Sequence, residues 1–267
     1  LPAHRMSERP SEDLPITRGP TLCIRQPTTP CRSIPVAAGP VPAHRRARAA
    51  VGGGVAVRYS DEETAALYNV LNPWGRSDEF YLGLVMEARA VLDVGCGTGT
   101  LLHRARDAGH TGRLCGVDPD RAMLGLARRR TDIEWWAGKA AAMPWSNEFD
   151  LAVMTGHAFQ FLVDDDELRA SLATIRRALV EGGCFAFETR NPLVREWETW
   201  TPEHPIDVVD PAGRPLRVSY RVEAVVDDVV TVVEVTSERD GTVLREDRAD
   251  LRFLDADTLA AFLTDAG

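Results

Sequence analysis

Three glycines fall within five positions in the stretch VLDVGCGTGT, residues 91–100, directly behind a short apolar run. Glycine weakens any regular element, so this density indicates a turn shaped to let a backbone approach a ligand. A strand, a tight turn and a helix in succession would present the free amide donors of the helix start. The dinucleotide pattern Gly-x-Gly-x-x-Gly requires a sixth-position glycine where this chain has Thr100. The spacing is instead Asp93, then Gly95, Gly97 and Gly99. A carboxylate at the head of the turn suits an ammonium group better than a pyrophosphate. The plainer alternative is a tight turn that holds nothing.

A second acid, Asp118 in GVDPD, lies about 20 positions beyond the glycines, where a carboxylate can accept from ribose hydroxyls. Asp118 and Asp120 also precede a predicted helix at Arg121, so a helix cap is the competing role. Further on, VMTGHAFQFL carries His157, whose ordinary pKa of about 6.5 suits a proton acceptor. Local hydrogen bonding or packing is the alternative for this histidine.

These residues need elements to place them. Ser60 and Glu63 form a capping-box pattern ahead of a helix that Pro73 stops. Strands are predicted at 91–94, 114–117, 133–137, 151–154 and 184–189, alternating with helices at 101–108, 121–129 and 166–180. The last of these is stopped by Gly182 and Gly183. Such alternation predicts a doubly wound, mostly parallel α/β sheet. From 204 to 254, β-branched runs separated by DD and DG turns predict an antiparallel meander inserted after the fifth strand. A helix capped by Asp255 follows.

Residues 1–56 are rich in Pro, Arg, Gly and Ala without apolar periodicity, and are expected to be a disordered tail or sequence foreign to the domain at 57–267. They hold eight arginines against three acids, so the tail is net +5 and the remainder −14. The overall charge of −9 disfavours a nucleic-acid partner. No apolar run approaches the roughly 18 residues of a membrane span. Five cysteines without zinc-type spacing read as reduced thiols, which predicts a cytoplasmic location, and no cluster has metal-ligand spacing.

The ordered motifs at 91–99, 116–119 and 149–160 resemble those of class I S-adenosylmethionine-dependent methyltransferases. The resemblance spans about residues 60–267 and implies S-adenosyl-L-methionine as cofactor, with a small-molecule O or N acceptor and no nucleic-acid or membrane partner. It places Asp93, Gly95, Cys96, Gly97 and Gly99 at the amino-acid end of the cofactor, and Asp118 and Pro119 at its ribose. WAGKAAAMPW takes the place of the segment that reads adenine, through Lys139 and Ala140. Relatives usually carry an acid where Lys139 stands, and lysine has donors only. Thr155, and Tyr68 and Trp74 of an N-terminal lid, complete the implied cofactor contacts. His157 is the implied catalytic base, and Gln160, Arg190, Asn191 and Trp197 the implied acceptor wall; core packing competes as a role for Trp197 and Trp200. Family members usually finish with a two-strand hairpin on the fifth strand. Its absence before Gly267 is expected to leave that strand as an open edge, as in a fragment. Two rival readings stand beside the enzyme: a cofactor-binding relic without activity, and a nicotinamide-dependent oxidoreductase.

Overall fold

The computed structural model describes residues 58–267 and, as backbone, two N-terminal strands, β1 (Gly19–Ile24) and β2 (Ile34–Val36). Apart from those strands, the tail expected to be disordered lies outside the described residues. Helix α1 (Asp61–Leu71) starts on the predicted box: Glu63 N donates to Ser60 Oγ and Ser60 N donates to the Glu63 carboxylate. Helix α2 (Arg76–Glu87) was not expected from the sequence; Tyr81 and Val85, one turn apart, are its buried face.

The βα alternation then runs as predicted. It comprises β3 (Ala90–Val94), α3 (Thr100–Asp107), β4 (Arg113–Asp118), α4 (Arg121–Ala127), β5 (Glu134–Ala137), β6 (Phe149–Met154), α5 (Asp165–Ala178) and β7 (Leu179–Glu188). Helix α5 ends two residues earlier than predicted. Leu179 is already extended, and the glycine pair expected to stop the helix lies inside β7, where Gly182 has φ +75°. Pairing with β6 slips at this point, from Phe149 opposite Leu179 to Leu151 opposite Cys184. The glycines therefore bend a strand.

The sheet order is β2-β1-β7-β6-β3-β4-β5, with the five strands β3 to β7 parallel. The order reverses at β3, which lies between β4 and β6, so the carboxyl ends of β3, β4 and β6 border one crevice. The edge expected to be open is paired: β1 runs antiparallel to β7, with Thr21 opposite Glu188 and Ile24 opposite Phe185. One face of the sheet is covered by α5 and α6 (Ala256–Ala266) through Leu168, Leu172, Ile175, Leu259 and Phe262. The other is covered by α2 and α3 through Tyr81, Val85, Leu101 and Leu102.

The predicted meander is a separate four-stranded antiparallel sheet: β8 (Ile206–Val209), β9 (Pro215–Val226), β10 (Val229–Glu238) and β11 (Val243–Arg252). Its inner face packs Leu216, Val218, Val230 and Val232 against Leu67 and Leu71 of α1. Buried Arg245 fastens the two, donating to the Tyr59 carbonyl at 2.7 Å and to Asp61 at 3.1 Å.

On β10, Glu234 lies opposite Tyr220 and Asp247 and is buried. Burial, and then Asp247, push its carboxyl up to about 7. The folded chain therefore holds this proton more tightly than the unfolded chain, and stability falls as pH rises from the ordinary carboxylate range through about 7. Glu234→Gln should accordingly stabilise the protein at pH 8 by on the order of 1–3 kcal/mol and change little near pH 4. Urea melts at the two pH values check this, and an equal effect at both would contradict it.

Candidate cofactor and methyl-transfer site

The turn after β3 is held by backbone bonds. Gly95 N and Cys96 N both donate to the Val117 carbonyl, at 2.7 and 3.0 Å, and Gly99 N donates to the Cys96 carbonyl at 2.9 Å. Gly95, Gly97 and Gly99 all have positive φ, which only glycine adopts freely. Space is equally tight. A Cβ on Gly99 would meet the Trp135 ring at 2.5 Å, and one on Gly95 would meet Ala158 at 2.8 Å.

Asp93 sits at the foot of this turn with 1% exposure, and its Oδ1 is buried without a hydrogen-bond partner. Burial, and then the charge of Asp118, push its carboxyl up to about 8. A native fold seldom leaves such an atom unsatisfied, and a ligand ammonium would satisfy it. Asp118 ends β4; its Oδ2 accepts from Gly97 N and its Oδ1 from Asp120 N, both at 2.8 Å. The cap of α4 is Asp120, which accepts from Ala122 N and Met123 N. Asp118 is thereby not the helix cap; it faces the glycine turn.

Beside these acids opens a cleft with about 550 Å³ of empty space, part of it continuous with solvent. Gly95, Asp118, Pro119, Gly138, Lys139 and Ala140 line it, with Met154, Ala158, Phe161 and Leu162 as apolar wall. Lys139 turns its half-exposed ammonium toward Glu167 of α5, at 3.3 Å. Cys96 is buried behind the turn, where burial raises its thiol pKa well above the usual range.

The loop after β6 begins at Thr155, whose carbonyl accepts from Ala158 N at 3.1 Å. His157 then takes φ +59°, unusual for a residue with a side chain. Its Nδ1 is buried and unbonded; burial, and then the nearby Arg190, hold its pKa well below the ordinary value. The imidazole is neutral at pH 7. Tyr68 of α1 reaches over this loop, its hydroxyl 3.1 Å from where a Gly156 Cβ would stand. Burial, and then Asp78, Glu188 and Asp118, raise its pKa.

Other residues assigned from the sequence take different positions. Gln160 is fully buried, accepting from Arg190 at 2.7 Å and donating to the Arg252 carbonyl at 3.1 Å, so both amide ends are spent on protein. Arg190 is buried as well, bonded to Glu196 at 3.0 Å and lying over the Trp200 ring. Asn191 caps the short turn after it, accepting from Leu193 N. Trp197 is core, meeting Phe253 edge-on with centroids 4.5 Å apart. Trp74 packs beneath the Arg104 guanidinium on the α2–α3 side. Of the expected acceptor wall, Arg190 alone stays beside the His157 loop as a charge.

Two contributors escaped the sequence reading. Asn69 of α1 accepts from Thr98 Oγ1 at 2.7 Å, tying that helix to the glycine turn. Trp135 fills the hollow beneath that turn. Neither has a local pattern; each is recognisable only once α1 and β5 are packed.

A doubly wound sheet with an acid-led glycine turn at its switch point and a second acid on the next strand is the fold shared with solved S-adenosylmethionine-dependent methyltransferases. Residues 91–183 match the family model described as a methyltransferase domain. Among curated proteins, a 2-phytyl-1,4-naphtoquinone methyltransferase from Thermosynechococcus vestitus is 34% identical over 131 residues, 47% of this chain and 55% of that one. This chain spans about half the length of the curated relatives it matches. Among solved structures, a Clostridium acetobutylicum S-adenosylmethionine-dependent methyltransferase superposes with TM-score 0.61 at 17% identity, over 76% of this chain and 86% of that one. A Micromonospora echinaspora amino pentose methyltransferase solved with S-adenosylmethionine bound gives 0.59 at 24% identity, over 78% and 89%. The orphaned Asp93 oxygen is placed to fit an ammonium group such as that of S-adenosylmethionine, the molecule bound in the Micromonospora echinaspora structure.

With its pKa near 8, Asp93 carries a proton at pH 7 before the cofactor binds, and an ammonium partner requires the carboxylate. Binding of S-adenosylmethionine at pH 7 should release about one proton, and affinity should rise with pH up to about 8 and fall again as the ligand's own ammonium deprotonates. Calorimetry in buffers of different ionisation enthalpy measures the release. A pH-independent affinity without proton release would contradict this assignment.

Proposed function

We propose that the protein transfers the methyl group of S-adenosylmethionine to an O or N atom of a small molecule, in the cytoplasm. The observation that carries this reading is the buried, unbonded Asp93 oxygen at the foot of the glycine turn, beside a cleft that the His157 loop borders. Asp93, Gly95, Gly97 and Gly99 would hold the amino-acid end, with Asp118 and Pro119 at the ribose. Gly138, Lys139 and Ala140 would border the base; with the Lys139 side chain drawn to Glu167, that edge would be read by backbone groups and apolar walls. When bound, the cofactor supplies an activated methyl on a sulfonium.

The protein's own part is alignment and exclusion of water, to which Phe161, Leu162 and the Tyr68 ring contribute. A neutral His157 is set to take a proton. Its lowered basicity suffices, because an O–H or N–H becomes far more acidic as its heavy atom gains the methyl. Around the Tyr68 hydroxyl acidic groups outnumber cations (Asp78, Glu188 and Asp118 against Arg190), which favours a neutral or cationic acceptor over an anionic one.

Calorimetric titration with S-adenosylmethionine and with NAD, followed by labelled-methyl transfer into a small-molecule extract, tests the proposal. Binding of the former and a labelled product are expected; NAD binding alone would indicate an oxidoreductase, and cofactor binding without a product would indicate a relic. His157→Gln should cut transfer by about 100-fold or more while leaving cofactor affinity within about threefold. Undiminished transfer would remove His157 from the reaction.

A further inference from the structure

Glu188 is the last residue of β7 and is 6% exposed. Its Oε1 accepts from Gly156 N at 2.8 Å, the His157 amide also bonds to its carboxylate, and its Oε2 accepts from Ser77 Oγ at 2.6 Å. One buried carboxylate thus gathers two consecutive amides from the loop after β6 and a hydroxyl from the first turn of α2. Gly156 and His157, the two residues that donate, are also the two with successive left-handed conformations, each at φ +59°.

Glycine takes that conformation without cost. A histidine there is strained, so something must over-determine it. No hydrogen bond from its own ring atom Nδ1 does so. Two amide donors converging on a carboxylate are strong, charge-assisted bonds in a site shielded from water. Burial raises the pKa of Glu188, and the Ser77, Gly156 and His157 donors oppose that shift by favouring the carboxylate.

We propose that Glu188 is the positioning residue of the methyl-facing loop: its carboxylate locks Gly156 and His157 in the left-handed conformation and, through Ser77, ties that loop to α2. The inference rests on the reading of His157 given above. Glu188 acts through the loop and is a positioning residue. Without the carboxylate, His157 relaxes toward the right-handed conformation and its ring leaves the buried position. Around Glu188 the charged and titratable neighbours are Asp78, Tyr68, His157 and Arg190.

The test uses the whole protein with ¹⁵N-labelled histidine and backbone, as native, Glu188→Gln and Ser77→Ala. Glu188→Gln keeps size and shape and leaves one acceptor oxygen. Amide exchange at Gly156 and His157 should quicken by about tenfold or more, and the His157 imidazole should titrate at higher pH than in the native protein. That direction is diagnostic: loss of a neighbouring negative charge alone would lower the His157 pKa, so a rise reports release of the ring toward water. Methyl transfer should fall by about tenfold or more, with cofactor affinity within about threefold. Ser77→Ala, which leaves the carboxylate intact, should quicken exchange at the same two amides by a smaller factor. Unchanged exchange and titration in Glu188→Gln would overturn the proposal, and unchanged exchange in Ser77→Ala would overturn the tie to α2. If exchange and titration move while transfer does not, the clamp stands and the assignment of His157 as base fails, which separates the two readings.

Discussion

The Val117 carbonyl accepts two consecutive amides, from Gly95 and Cys96, and this doubled bond fixes the exit of β3 against β4. Everything chemical in the domain is measured from that point. It sets the height at which Asp93 stops and turns the amide of Gly97 onto Asp118. It also brings Gly95 close enough to Ala158 that the glycine turn and the loop after β6 share one wall. Two acids from adjacent strands are thereby held buried beside each other, where the charge of Asp118 raises the cost of ionising Asp93. A parallel sheet makes such an arrangement possible, because neighbouring strands end at the same level and release their loops in the same direction.

A second layer of organisation comes from outside that sheet. Helix α1 is fastened at its start to the meander by Arg245 and Arg214, the latter bonding both Asp210 and Glu63. Along its length it is fastened to the glycine turn by Asn69. The meander therefore does more than decorate the domain. By anchoring α1 it fixes where the Tyr68 ring can stand, and with Trp197 and Trp200 it shares one core cluster with Phe161 of the cleft wall.

Legibility in the sequence followed the range of the interactions involved. Strand and helix alternation, the Ser60 cap, the acid-led glycine turn and the meander are written in local periodicity and turn chemistry, and the structure repeats them. Helix α2 was missed because it carries a single buried pair, Tyr81 and Val85, too sparse a stripe to read as amphipathic. Gly182 and Gly183 resemble a helix stop because nothing local distinguishes a C-cap from a bent strand; pairing with β6 decides. The acceptor wall was the least legible. Polar residues following a strand look alike whether they face a ligand or brace the fold; burial makes braces of Gln160 and Trp197, and Asn191 is spent on capping a short turn. Glu188 shows the converse, since its partners Ser77 and Gly156 lie 111 and 32 residues away.

The indole of Trp135 touches the space above both Gly99 and Gly116, at 2.5 Å from a Cβ built on either. Bulk that these two positions lack is supplied by a third residue on a different strand. The three sites therefore share a single allotment of volume, and selection acts on the sum. A larger residue at 116 requires a smaller one at 135, whereas Gly99 is held to glycine by its positive φ as well, so variation at 116 and 135 is expected to travel together through the chain's descendants.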